Sequence, residues 1–274
     1  MSLPNMGRSV VVTLIAMMFV SPVSATSIIV DFTQERIVLV ADSRAIRDTP
    51  AKVFDDDCKL DVLGGEFVFA AMGDIVYLPD SPTDPVPEWH ARDDAVRAYR
   101  VAPSHSLYAV AQDWMEEEIV HFKTHYLTNP TAVERIAARQ NGGLVLGIFA
   151  GKNEEGNLAV YEVTIHLDNQ PRFIPTMPSV APILHEMWMV KPQTVSSQNA
   201  LTQELIDGQT ERAKESAEEW MREARKIPKA EQDVRRLEFL VRETGHFDSS
   251  VGGPTNAVSI SGKGVSWLHK RTCK

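Results

Sequence analysis

The chain has 274 residues and carries 28 Lys+Arg against 37 Asp+Glu, which gives a formal net charge of -9. A nucleic-acid surface requires clustered positive charge, and because the sequence shows no such cluster, nucleic-acid binding is excluded as a function. The two cysteines, Cys58 and Cys273, could pair in an oxidising compartment, but they are too few for a disulfide framework.

The first 25 residues have the pattern of a secretory signal peptide. Arg8 lies in the basic segment, residues 9–20 form a short apolar core, and Val23-Ser24-Ala25 provides small residues before a cleavage point. The apolar core is shorter than the roughly 20 residues that a membrane-spanning helix needs. We therefore expect cleavage after Ala25, export to the periplasm or the medium, and a mature domain of residues 26–274 that does not contact a membrane. An uncleaved interfacial anchor is the alternative.

Predicted strands open the mature chain. Two pairs of segments rich in β-branched residues predict β-hairpins, and their strands are residues 26–32 with 36–41 and residues 58–63 with 66–72. Their turns contain the polar pair Gln34-Glu35 and the glycine pair Gly64-Gly65. A proline-rich stretch, residues 79–87, predicts an exposed loop.

Helical and strand patterns alternate over the rest of the chain. Apolar residues from Leu107 to Phe122 recur with a period close to 3.6, which predicts a helix. The other predicted elements are helices in residues 200–225 and 231–244 and hairpins in residues 143–166 and 255–269. Consecutive hairpins imply antiparallel sheets, and the helices need a surface on which to bury their apolar faces. We predict a single α+β domain, a four-layer αββα sandwich with two stacked antiparallel sheets flanked by helices.

Five residues in this frame have types that fit one known chemistry. Thr26 would become the first residue after signal cleavage, and Asp42 follows it by 16 positions within Val-Ala-Asp-Ser-Arg. Lys59 stands at the start of the next strand, Gly73 ends the strand after that, and Asp248 precedes a late Gly-Gly pair. This ordered set resembles the N-terminal-nucleophile hydrolases of the proteasome β-subunit type. The resemblance runs from Thr26 to about residue 268, with a divergent middle.

The resemblance implies a threonine peptidase or amidase without cofactor or metal. Thr26 would supply the nucleophilic hydroxyl and its own α-amine the base, because the ordinary pKa of such an amine is about 7.7–8.0. The Lys59 ammonium would lower the pKa of that amine, and Asp42 would hold Lys59 charged and oriented. The Gly73 N–H would stabilise the oxyanion. The substrate would be a peptide or a small amide, and ring assembly in the family makes a homo-oligomer one expected arrangement.

Three departures from the family pattern favour a second hypothesis. No Gly-Ser-Gly segment follows the central hairpin, Val251 stands where the family has a serine, and Ala25 rather than glycine precedes the threonine. Asp248 does match the family's second aspartate. The alternative is therefore a catalytically inactive member of the same fold that serves as a binding or scaffold subunit.

Simpler interpretations exist for each of these residues taken alone. Thr26 could be only the first residue after a signal, Asp42 a turn residue, Lys59 a solvated lysine and Gly73 a strand end. A competing site is the pair His121 and His125, whose spacing suits zinc. Phe122 stands where zinc proteases have glutamate, so we interpret the two histidines as a solvated pair on a helix face.

Overall fold

The computed structural model describes residues 26–33, 35–48, 51–55, 59–73, 75–77, 88–102, 106–139, 142–168, 179–186, 193–197 and 200–270. The predicted signal peptide, both cysteines and the proline-rich stretch 79–87 lie outside the described residues. Their predicted roles therefore stay predictions. Across the described ranges, no helix combines the length and the hydropathy of a membrane-spanning segment.

Two five-stranded antiparallel sheets form the centre of the fold. The first sheet has the order β12-β1-β2-β13-β14 and the second the order β11-β10-β9-β6-β5. The strands of the first sheet are β1 (Ile28–Thr33), β2 (Arg36–Ala41), β12 (Gln193–Ser197), β13 (Asn256–Ser261) and β14 (Gly264–His269). Those of the second are β5 (Leu60–Leu63), β6 (Phe67–Gly73), β9 (Gly143–Lys152), β10 (Leu158–Asp168) and β11 (Ser179–Glu186). Two small hairpins pair β3 (Ala45–Asp48) with β4 (Ala51–Phe54) and β7 (Val76–Tyr77) with β8 (Trp89–His90).

The helices lie in two groups along the chain. The first group is α1 (Ala91–Val101), α2 (Leu107–Thr128) and α3 (Pro130–Arg139). The second group is α4 (Ala200–Asp207), α5 (Glu211–Ala224) and α6 (Gln232–Phe247), with a short 3-10 turn at Lys229–Glu231 before α6.

Three buried apolar clusters define four layers. The cluster between the two sheets joins Ile28 and Leu39 of the first sheet to Ile148 of the second. A second cluster packs Trp114 and other residues of the first helical group on the outer face of the second sheet. The third packs α6 and its neighbours on the outer face of the first sheet. The predicted αββα sandwich with two stacked antiparallel sheets is confirmed.

The predicted hairpins are all present, with small shifts at their ends. The first predicted strand began at residue 26, whereas β1 begins at Ile28 and leaves Thr26 and Ser27 just before it. The single helical block predicted for residues 200–225 is two helices. Gly208 has a φ of 69°, a left-handed conformation that ends α4, and the Thr210 side chain then caps α5 by accepting from Ala213 N.

Several elements were not predicted, and one residue was placed wrongly. The two small hairpins, α1, α3, β11 and β12 had no counterpart in the sequence interpretation. Lys52 is, besides Lys59, a second lysine that could serve Thr26, and its place after Pro50-Ala51 predicts a loop position. It lies instead in β4 opposite Arg47, so the predicted loop position is wrong.

Candidate active site

The ends of β1 and β2 bring the first described residues next to Asp42. The two strands are antiparallel, with Ile28 opposite Ala41, so the residues before β1 meet the residues after β2. Ser27 N donates to Asp42 Oδ1 at 2.9 Å, and Asp42 N donates to Ser27 O at 3.2 Å. Thr26 is thereby held one residue away from a buried carboxylate.

Lys59 reaches this point from the second sheet. It directly precedes β5, and its Nζ donates to Thr26 Oγ1 at 2.6 Å and lies 3.4 Å from Asp42 Oδ1. The exposed fractions of Thr26, Asp42 and Lys59 are 4%, 1% and 3%. The three predicted residues therefore form one desolvated cluster, in which a charge acts more strongly on its neighbours than it would in water.

The Asp42 carboxylate is the most heavily hydrogen-bonded group of the cluster. Its Oδ2 accepts from Arg44 N at 3.2 Å and from Gly252 N at 3.1 Å, in addition to the Ser27 bond on Oδ1. Burial raises the pKa of Asp42 above its ordinary value, while the Lys59 ammonium and these three N–H donors oppose that rise. Without its partners this buried carboxylate would be costly to ionise, so its charge depends on them.

Arg44 fastens three segments around Lys59. Its guanidinium forms a two-pronged ion pair with Asp55, with Nε–Oδ1 at 2.7 Å and Nη2–Oδ2 at 3.1 Å. The same group donates through Nη1 to Ser249 O at 3.0 Å. The Arg44 backbone carbonyl in turn accepts a hydrogen bond from Lys59 Nζ. The ammonium is thus held between Thr26, Asp42 and a carbonyl whose position the Arg44 side chain fixes.

The late Gly-Gly pair, Gly252-Gly253, packs closely against Ser43, Arg44 and Asp55. A Cβ on Gly253 would lie 2.6 Å from Ser43 Oγ and 3.1 Å from the Asp55 Cβ, and a Cβ on Gly252 would lie 2.6 Å from the Arg44 Cζ. Any larger residue would push Ser43 or Arg44 away from its partners. The glycines therefore have a steric role beside the Asp42 carboxylate.

Gly73 ends β6, as predicted. Its φ is 100°, a backbone conformation that side-chain-bearing residues rarely adopt. The strand leading to it pairs with β9, where Gly73 stands opposite Val145. The sequence requirement for glycine at this strand end is thus conformational.

Asp248 makes its hydrogen bonds within its own turn. Asp248 Oδ1 accepts from Ser250 N at 2.9 Å and from the Ser250 hydroxyl. Its Oδ2 is buried and has no hydrogen-bond partner among the described residues. Val251, at the position where the resemblance predicts a serine, is fully buried at 0% exposure. Since Gly252 N binds Asp42, this turn is bonded directly to the cluster.

Comparisons with known proteins find structural similarity but no sequence similarity. No protein-family model and no curated protein sequence matches this chain. Among solved structures, the chain is similar to the Anbu (Gly-1) mutant from Hyphomicrobium sp. strain MC1, a protein of proteasome-like fold, at 13% sequence identity and a TM-score of 0.47. That similarity covers 90% of this chain and 87% of the other. Neither the fold assignment nor any residue role rests on this similarity.

Two residues of the site were missed by the sequence interpretation. Arg44 stood inside the quoted Asp-Ser-Arg segment, but nothing in the sequence indicated that Asp55 would be its partner. Ser27 was treated as an ordinary strand residue, although its backbone binds Asp42 on both sides. A buried hydroxyl next to the expected nucleophile was the available signal.

The histidine pair on α2 is not solvated as predicted. His125 is buried and its ring lies 4.7 Å from that of Tyr77. His121 stacks on Trp89 at 5.3 Å and lies 3.1 Å from Asp94 Oδ2. The interpretation as a solvated pair is therefore wrong, because both rings pack against other elements. Within the described ranges, no group of three His, Cys, Asp or Glu side chains is arranged to hold a metal ion.

Proposed function

We propose that this protein is an amide-bond hydrolase of the N-terminal-nucleophile type, with Thr26 as its nucleophile. The observation that carries the proposal is the contact of 2.6 Å between Lys59 Nζ and Thr26 Oγ1, made inside a buried cluster that also contains Asp42. An ammonium in this place favours an ionised oxygen or a neutral amine on Thr26. A purely structural threonine at the start of a strand has no need of a buried cation.

The proposed reaction uses both functional groups of Thr26. In the full chain the Thr26 nitrogen is a peptide nitrogen, so cleavage after Ala25 must first convert it to an α-amine. That amine accepts the hydroxyl proton while Oγ1 attacks the substrate carbonyl. The proton then passes to the leaving amine as the C–N bond breaks, which leaves an ester on Thr26. Water hydrolyses the ester, with the same amine as base, and releases the acid.

Two further residues have proposed roles at the reacting centre. The Gly73 N–H is the oxyanion donor, a type of contact typically worth about 10²–10³ in rate. Asp248 would bind the α-ammonium through Oδ2, the carboxylate oxygen that lacks a hydrogen-bond partner among the described residues. Such an interaction would orient the amine towards the Thr26 hydroxyl.

The proposed setting follows from the expected signal cleavage. Export would place the mature domain in the periplasm or the medium, with no membrane contact after cleavage. Substrates would be peptides, flexible chains or small amides, since no ATP-driven unfolding machinery is expected there. Nucleic acid is not a proposed partner, and self-association into a homo-oligomer is left to measurement.

The decisive experiment combines the mature N-terminus with turnover. The exported protein should begin at Thr26, and it should cleave members of a fluorogenic peptide panel. Thr26→Ala should be inactive, whereas Thr124→Ala, on the remote helix α2, should match the wild type. A mature chain that starts elsewhere, or an active Thr26→Ala variant, would refute the proposal.

A second candidate function is a binding or scaffold subunit without catalysis. The observations that favour it are the fully buried Val251 and the Asp248 hydrogen bonds, which run to Ser250 within the same turn. Under this hypothesis the Thr26–Lys59 contact would only stabilise the interface between the sheets. Correctly processed protein that leaves every peptide of the panel intact would favour this function over hydrolysis.

A further inference from the structure

A chain of buried hydroxyl groups leads away from the residue that follows Thr26. Ser27 Oγ lies 2.7 Å from Thr202 Oγ1, and Thr202 Oγ1 lies 2.7 Å from Thr244 Oγ1. The Thr244 hydroxyl also donates to Leu240 O at 2.9 Å. All three hydroxyl-bearing residues have 0% exposure. The chain therefore connects the start of β1 with helices α4 and α6 through hydrogen bonds that water does not reach.

Because Ser27 follows Thr26 directly, this hydrogen-bonded connection can hold Thr26 in place. The β1 ladder begins at Ile28, so Thr26 and Ser27 stand outside the paired strand. Once the preceding segment is removed, Thr26 is a chain end, and chain ends fray unless other bonds hold them. The Ser27 backbone is bonded to Asp42, which fixes its main chain. The hydroxyl fixes its side chain to a different layer of the fold.

Burial of three hydroxyl groups at this location costs free energy unless each is hydrogen-bonded. The same layer contains an apolar cluster that includes Leu205, Leu240 and Val241. A network in which every hydroxyl group is hydrogen-bonded offsets this cost and holds its side chains in one defined geometry. Apolar residues of similar size would fill the space without fixing a direction.

We propose that the Ser27–Thr202–Thr244 hydroxyl chain is an anchor that positions the nucleophile-bearing chain end against Lys59. Its catalytic consequence rests on the proposed function. Ser27, Thr202 and Thr244 act through Thr26 and are positioning residues. Misplacement of a reacting atom by about 1 Å can cost 10²-fold in rate, so a looser chain end lowers kcat. Substrate contacts are unchanged, so KM stays nearly constant.

The first test separates positioning from packing. Thr202→Val keeps the shape of the side chain and removes the hydroxyl, whereas Thr202→Ser keeps the hydroxyl and removes a methyl group. We expect Thr202→Val to lower kcat at least about tenfold with KM within about twofold, and Thr202→Ser to stay within about threefold of the wild type. Ser216→Ala is the matched control, because the Ser216 hydroxyl is buried in α5 of the same layer and has no hydrogen-bond partner among the described residues. It should leave kcat unchanged.

The second test needs no activity. Ser27→Ala and Thr244→Val are combined in a double-mutant cycle of unfolding equilibrium constants. No direct bond joins Ser27 to Thr244 within the chain Ser27–Thr202–Thr244, so coupling between them must pass through Thr202. We expect the effect of the double variant to differ from the product of the single effects by at least about threefold.

The outcomes distinguish the anchor from the proposed function. An active wild type with Thr202→Val equal to it, or with Thr202→Ser as impaired as Thr202→Val, would overturn the anchor while leaving the hydrolase in place. A correctly processed but inactive wild type would overturn the hydrolase. The unfolding cycle alone would then test the anchor. If the double variant's effect on the unfolding equilibrium constant equalled the product of the two single effects within about twofold, the anchor would be overturned.

Discussion

Lys59 Nζ and Thr26 Oγ1 lie 2.6 Å apart although 33 positions separate the two residues. Thr26 precedes a strand of the first sheet and Lys59 a strand of the second, so their contact joins the two sheets at one end of the sandwich. A functional group held by two rigid elements is positioned more accurately than one held by a loop.

The hydroxyl of Thr26 should be essential for activity, and its methyl group should not be. We expect mature Thr26→Ala to lose amide-bond cleavage and Thr26→Ser to keep part of it, because serine retains both the hydroxyl and the amine. The measurement is turnover of a fluorogenic peptide panel, with circular dichroism as the check on folding. A serine variant as inactive as the alanine variant would assign the methyl group an essential role instead.

Lys59 and Lys52 should differ sharply in their effect on activity. Lys59 contacts Thr26 and Asp42, whereas Lys52 lies in β4 opposite Arg47. We expect Lys59→Ala to be inactive and Lys52→Ala to change turnover by less than about threefold, under about 1 kcal/mol. Lys59→Arg should also be poor, since a planar guanidinium cannot replace a compact ammonium.

Removal of Lys59 also leaves the Asp42 carboxylate buried without its cation, a change that can cost about 3–5 kcal/mol of stability. Lys59→Met, which preserves the length of the side chain, and a thermal melt of each variant separate inactivity from unfolding. A folded Lys52→Ala variant without activity would mean that the lysine serving Thr26 has been misassigned.

Asp42 should give stability and activity opposite pH dependences. Because the pKa of Asp42 is raised in the folded protein above the ordinary 3.8, the unfolded chain releases this proton first as the pH rises. Stability should therefore fall as the pH increases from about that value through the folded pKa, while activity, which needs the carboxylate to hold Lys59, should rise through the same interval.

Asp42→Asn provides the reference for this experiment. It cannot titrate, so the difference in unfolding free energy between wild type and variant should decrease with rising pH and then level off. Its turnover should be at least about tenfold lower, equal to about 1.4 kcal/mol. A difference that grows with pH across the interval would contradict the raised pKa.

Arg44 should affect turnover through its two-pronged ion pair with Asp55. The guanidinium lowers the pKa of Asp55 by hydrogen bonding, and it also holds the Ser249 carbonyl. Arg44→Lys keeps the charge but cannot make both contacts, so we expect kcat to fall about tenfold. Arg97→Lys, in the remote pair with Glu117, is the matched control and should leave kcat unchanged. Equal kinetics for the two variants would remove Arg44 from the site.

The substitution Val251→Ser tests whether the lack of a serine at this position, where the resemblance predicts one, limits the proposed reaction. Val251→Ser should leave turnover unchanged or raise it, at a stability cost of about 1–3 kcal/mol for a hydroxyl in a fully buried position. Turnover measured well below the melting temperature keeps the two effects apart. A large loss of activity in the folded variant would show that this turn is not the counterpart of the family's serine segment.

The sequence predicted this fold best where local chemistry is explicit. Gly64-Gly65 marked the β5–β6 turn, and segments rich in β-branched residues marked the strands of the first two predicted hairpins. Helix α1 was missed because its buried face consists of Asp94 and the small residues Ala91, Ala95 and Ala98, without a large apolar side chain. Strand β4 was missed because the proline before it suggested a loop.

The central residues of the candidate site were predicted, but its geometry and its supporting residues Arg44 and Ser27 were not. Thr26, Asp42 and Lys59 were found through the family resemblance. Their spacing along the chain could not place them together, because it does not determine which ends of two stacked sheets meet. Arg44 and Asp55 could not be paired from sequence, since their contact depends on the fold of the segment between them. The Ser27 hydroxyl chain joins residues separated by 175 and 42 positions, a distance over which no sequence pattern operates.

The burial of Thr26 constrains when its amine can be made. Thr26 is 4% exposed, and Ser27 and Ile28, on the far side of the bond to be cut, are 0% exposed. A separate protease needs several extended residues on both sides of its target, and on the C-terminal side of this bond Ser27 is hydrogen-bonded to Asp42 and Ile28 is paired with Ala41. Cleavage by such a protease must therefore occur before β1 inserts between β2 and β12. Under the proposed function, cleavage after Ala25 therefore competes with folding, and a chain that folds first keeps Thr26 in a peptide-linked form without an α-amine.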